Sequence, residues 1–146
     1  MINHRNLFIK AVVPICLLVI SVHAQSTEFA VVVNKNNAIN SLSKREIIDI
    51  YMGRYLTFPD GETSQPFDLP AQSALKNDFY LKLVNKDEQK INAYWARLLF
   101  SGRAKPPSPS ASVKDALNKI ASSPFAIGYI PLSQVTDAVK VVYTVD

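Results

Sequence analysis

The chain has 146 residues, 48% of them apolar, with 16 lysines and arginines against 12 aspartates and glutamates, one cysteine and two histidines. Cys16, His4 and His23 all lie before residue 25, so the chain beyond that point contains neither residue type. That stretch therefore cannot build zinc sites of the usual Cys/His kind, Cys–His nucleophile pairs, Ser-His-Asp triads, redox cysteines or disulfides.

The first residues read as a secretory signal. A polar, basic stretch with Asn3, His4, Arg5 and Lys10 leads into an apolar run from Ala11 to Val22, and Val22-His23-Ala24 has the small-residue pattern of a cleavage site. The run is short for a bilayer span and contains Pro14, while the bulky Ile15 before Cys16 does not suit a lipoprotein signal. The expectation is a signal peptide over 1–24 and one domain over 25–146, periplasmic or secreted, with no membrane insertion after cleavage. Without Arg5 and Lys10, the basic residues fall to 14 against 12 acidic ones. There is no Lys/Arg run and no basic-aromatic stripe, so the pattern argues neither a nucleic-acid nor a membrane-surface partner.

Glu28 to Asn34 is rich in β-branched residues and almost continuously apolar, which predicts a strand buried on both faces. Leu42 to Gly53 carries helix punctuation. Ser43 and Glu46 form a capping box, Leu42 can staple to Ile47, and Gly53 suits the left-handed position after the last turn. Pro59-Asp60-Gly61 marks a tight turn, and Gln65 to Leu69 reads as a short strand. Pro70 then disfavours helix at Leu69, and Ser73 is placed to cap a helix through Phe79 and Leu83.

Asn85-Lys86-Asp87 interrupts that helix, and Ile91, Tyr94, Trp95, Leu98 and Leu99 give the next one a single apolar stripe with Trp95 as a core residue. Gly102 ends it, and Arg103 to Ser110, with three prolines, predicts a stiff surface connection. Ser112 caps a further helix through Ile120. Phe125 to Ile130 reads as a buried strand in which Gly128 marks a close backbone approach or a bulge. Leu132 to Val135 is at most a helical turn, and Val139 to Val145 is the last strand. The interleaving predicts an α/β domain with a single mixed β-sheet flanked by helices.

Chemistry-bearing residues are few. The helix start at Ser73, Ala74, Leu75 and Lys76 offers unpaired N–H groups and partial positive charge, the ingredients of an anion site. Ser73-Ala74-Leu75-Lys76 also matches S-x-x-K, but no S-D-N or K-T-G element follows. Asp87, Glu88 and Asp115 sit at helix starts, where dipole and capping reasons already explain acids. No carboxylate pair is nominated, so no catalytic residue and no enzyme activity are expected, nor any metal or cofactor.

Three segments together resemble the periplasmic phosphate-binding component of ABC phosphate importers. Leu42 to Gly53 resembles that family's L-S-x-x-E-I-x-x-I-F-x-G segment, Pro66 to Phe79 its stretch with an Arg followed by Ser-Gly-Thr, and Ala126-Ile127-Gly128-Tyr129 its A-I-G-Y strand. The resemblance covers most of residues 29 to 130. It implies one lobe of a periplasmic-binding-protein-like fold, and a ligand site, Ser73 to Lys76, that is half of the parent one. At the family's phosphate-gripping Arg this chain has Leu69, and Ser73-Ala74-Leu75 replaces Ser-Gly-Thr, so only the serine hydroxyl is kept. A guanidinium would give charge-assisted bonds worth about 1.5–3 kcal/mol each, and leucine gives none. Two readings stay open: a solute-binding-protein-like domain that weakly holds phosphate or another small oxyanion, and a ligand-free interaction or sensory module with an envelope protein partner.

Overall fold

The computed structural model describes residues 26–146; the expected signal peptide and its cleavage site lie outside the described residues. Five strands and four helices follow in the order β1 (Phe29–Asn34), α1 (Lys44–Tyr51), β2 (Gln65–Asp68), α2 (Ala74–Val84), α3 (Glu88–Phe100), β3 (Ser108–Pro109), α4 (Val113–Ser122), β4 (Ala126–Pro131) and β5 (Val139–Val145). The sheet order is β3-β2-β4-β1-β5. β2 runs parallel to β3 and β4, while β1 is antiparallel to β4 and β5, so the sheet is mixed as expected.

β1 is buried at every residue, and its two faces feed separate cores. Phe29, Val31 and Val33 pack with Ile47, Tyr51, Phe79, Ile91 and Trp95 beneath α1, α2 and α3. Ala30 and Val32 pack with Ile120, Ala126 and Ile130 beneath α4. The continuous apolar run follows directly from this: a strand covered by helices on both sides has no polar face. All five strands and both cores lie between Phe29 and Val145, so this unit carries its own core.

The helix punctuation acts where it was read. Ser43 caps α1 in a reciprocal box with Glu46, and Gly53 takes a φ of 68° behind Met52. Asn85 closes α2 in the left-handed conformation. Gly128 is the close approach rather than a bulge: a Cβ there would stand 2.3 Å from Ile120 Cδ1. The sheet's register shift falls instead between Val31 and Val32, against β5.

The connection from Arg103 to Ser110 departs from its reading. Ser108 and Pro109 form an edge strand on β2, with Phe67 opposite Ser108 and Asp68 opposite Pro109. Two residues, one of them a proline, carry no periodic signal, and proline tolerates an edge because one side needs no donor. The stripe of α3 is also narrower than predicted. Ile91 and Trp95 are buried and Tyr94 and Leu98 pack against the core, but Leu99 is half exposed.

Candidate functional site

β2 ends at Asp68, between its two parallel neighbours, and the chain turns at once into α2. The carboxyl ends of parallel strands are where open α/β sheets leave a crevice. The turn is tight. Ser73 N–H donates to Pro70 O at 3.2 Å, and Gln72 holds a φ of 61°, a left-handed conformation unusual for a residue with a Cβ.

Ser73 is the N-cap of α2, and its hydroxyl accepts from Lys76 N–H at 3.2 Å. The hydroxyl thus acts as a cap acceptor. Ala74 is exposed and Leu75 half-buried. Lys76 turns inward, its side chain only 12% exposed, but its ammonium meets two carboxylates: Asp68 Oδ2 at 3.3 Å and Glu88 Oε1 at 3.7 Å. The charge that could have gripped a ligand is already engaged, and no contact between Lys76 Nζ and Ser73 Oγ supports the S-x-x-K pairing.

Glu88 accepts from the backbone just ahead of α2. Gln72 N–H points between its carboxylate oxygens, 2.9 Å from Oε1 and 3.0 Å from Oε2. Glu88 is itself buried at the first turn of α3, with its backbone N–H donating to Asn77 Oδ1 at 2.9 Å. A carboxylate at a helix N-terminus gains from charge-assisted bonds and from the helix dipole. Here one carboxylate sits in the first turn of α3 and against the backbone ahead of α2.

Beneath Lys76 lies a buried polar network. Asp68 Oδ1 accepts from Tyr80 Oη at 2.9 Å and Tyr129 Oη at 3.0 Å, and Tyr129 Oη accepts in turn from Leu69 N–H at 3.2 Å. Burial raises the Asp68 carboxyl above its ordinary value; the Lys76 charge, then the hydrogen bonds from Tyr80 and Tyr129, oppose that rise. Burial, and secondarily the Asp68 charge, holds Tyr51, Tyr80 and Tyr129 well above 10, so all three stay protonated and can donate. Their rings, with Phe29 and Phe79, form one aromatic cluster in which Phe79 and Tyr129 stack 3.5 Å apart.

Sequence reasoning located the α2 start but missed its occupants. Asp68, Tyr80 and Tyr129 look like ordinary strand and helix residues, and Glu88 like an ordinary first-turn acid. Leu69, at the position of the expected arginine, is fully buried. A cavity of about 440 Å³ lies elsewhere, between Gly53 to Leu56, the β2 strand and Lys105 to Ser108, and none of Ser73 to Lys76 lines it.

No protein-family model matches the chain, and no curated protein matches it in sequence. Solved structures do match. A protein assigned as a phosphate ABC transporter substrate-binding protein, with bound phosphate, from Clostridium perfringens aligns with a TM-score of 0.62 at 20% identity, over 80% of this chain and 45% of that one. An ABC-type phosphate transport receptor from Vibrio cholerae gives 0.62 at 16% identity, over 80% and 46%. PstS from Borrelia burgdorferi gives 0.59 at 13%, over 80% and 47%. The chain spans less than half the length of each of these proteins. Its architecture is accordingly that of one lobe of a periplasmic-binding-protein fold.

Proposed function

We propose that the chain is a secreted, non-enzymatic, solute-binding-protein-like domain in which an internal carboxylate has replaced the oxyanion. On this reading it serves as an interaction module in the cell envelope rather than as a phosphate receptor. The observation that carries it is Glu88: its two oxygens take Gln72 N–H, and it shares Lys76 with Asp68. A phosphate entering there would meet two carboxylates and one ammonium, and it would have to displace a ligand tethered to its own chain.

A second reading keeps weak oxyanion binding at Ser73, Ala74, Leu75 and Lys76. It is favoured by the exposure of Ala74 at the first position of α2. Thermal unfolding with and without phosphate or sulfate separates the two, because a ligand specific for the folded state stabilises it by RT ln(1 + [L]/Kd). Unchanged unfolding at about 10 mM of either anion supports the first reading, and a clear rise supports the second.

A further inference from the structure

We infer that the end of the domain formed by the α3 C-terminus and the Gly53–Leu56 turn docks peripherally on an anionic lipid surface. The two segments are neighbours. Tyr94 Oη donates to Met52 O at 2.6 Å, and a Cβ on Gly53 would come within 2.7 Å of Trp95 Cη2 and 3.2 Å of Ala104 Cβ. Together they display Tyr55 at 63% exposure, Leu56 at 68%, Leu99 at 52% and Phe100 at 97%. A phenylalanine so fully exposed is far outside the usual burial of that residue type, and several large apolar side chains at one end mark an interaction surface.

The charges around them select the occupant. Arg97, Arg103 and Lys105 are all exposed, and among the described residues none of them makes an ion pair. From Gln89 to Lys114 the chain has no acidic residue at all. The spacing of these cations hid them as a pattern in sequence; in the fold Lys105 lines the same cavity as Tyr55 and Leu56, Arg97 lies over the Tyr94 ring at 5.8 Å, and Arg103 follows the end of α3, its N–H donating to Leu98 O. Apolar side chains flanked by cations match an anionic lipid interface, which accepts a protruding aromatic at headgroup depth without a pocket shaped to receive it. The contact is peripheral: no described helix is long and apolar enough to cross a membrane.

This surface supplies a partner for the interaction reading, yet it is tested apart from the α2 start. Phosphate-dependent stabilisation would remove that reading and leave vesicle binding untouched. The experiment is co-sedimentation of residues 25–146 with phosphatidylglycerol/phosphatidylcholine vesicles and with phosphatidylcholine vesicles alone. We expect binding to the anionic vesicles only, weakened by salt. Phe100→Ala, at a site too exposed to disturb folding, should lower partitioning by about tenfold, and Arg103→Ala or Lys105→Ala by about fivefold each. Absence of binding, equal binding to neutral vesicles, or indifference to Phe100→Ala would overturn the inference. So would light scattering that shows a dimer dissociated by Phe100→Ala, which would assign the surface to a second copy of the chain.

Discussion

Replacing Glu88 by alanine should cost the domain stability and at the same time create a response to phosphate that the wild type lacks. The side chain is only 11% exposed, so the variant leaves Gln72 N–H without its buried acceptor and Lys76 with Asp68 alone. Losing one charge-assisted bond to a buried group costs about 1.5–3 kcal/mol. The ion-pair loss adds less than the full cost of breaking a buried pair, since Lys76 keeps Asp68. A net loss of about 2–3 kcal/mol corresponds to roughly 6–15 °C in Tm for a domain of this size. The same energy protects the wild type from phosphate. If the vacated seat held phosphate with a Kd of about 1 mM, displacing Glu88 first would weaken the apparent Kd to about 30 mM or more. At about 10 mM phosphate the wild type would then gain under about 0.2 kcal/mol, and Glu88→Ala about 1.4 kcal/mol. Circular dichroism melts of both proteins, with chloride as the ionic-strength control, read this directly. A wild type that gains several degrees, or an alanine variant that loses nothing and gains nothing, would refute the tethered-carboxylate account.

Three further outcomes follow from the same geometry. Asp68 titrates above its ordinary 3.8, so between that value and the raised native one the folded chain holds a proton that the unfolded chain has released; the stability it supplies is greatest below about 3.8 and declines as pH rises through the raised native value. Asp68→Asn should remove that decline, and parallel pH profiles of denaturation midpoint for variant and wild type would count against it. Lys76→Met leaves Asp68 and Glu88 as neighbouring carboxylates with no cation between them and should cost about 3–5 kcal/mol; urea titration checks this, and a loss below about 1 kcal/mol would mean that the two ion pairs matter little. Gly128→Ala drives a Cβ to 2.3 Å from Ile120 Cδ1 and should cost about 1–3 kcal/mol, with the double change Gly128→Ala, Ile120→Val recovering part of it in the same titration.

How much could be read from the residues alone depended on how local each determinant is. Caps and punctuation need only a few neighbours, so Ser43 with Glu46, Ser73 and Asn85 announced their helix ends, and the unbroken apolar run of Phe29 to Val33 announced a strand with two covered faces. The edge strand at Ser108 and Pro109 exists only because β2 lies beside it, and two residues carry no period. The site shows the same limit more sharply. Lys76 was legible as part of the helix start, but not the direction of its side chain, and the groups it meets come from different places: Asp68 from the end of β2 and Glu88 from the start of α3. Tyr129 reaches Asp68 across 61 positions of sequence. A first-turn glutamate has a sufficient local explanation in the helix dipole, so nothing in its surroundings in sequence marks it as the acceptor for Gln72.

The central claim, that Glu88 stands where a ligand anion would stand, is tested most directly by following backbone amide resonances while phosphate is added to the wild-type domain and to Glu88→Ala. The account predicts that Gln72, Ala74 and Leu75 stay unmoved in the wild type up to about 10 mM phosphate and shift saturably in the variant. Saturable shifts of those amides in the wild type at low millimolar phosphate would contradict it and return the α2 start to service as an open oxyanion site.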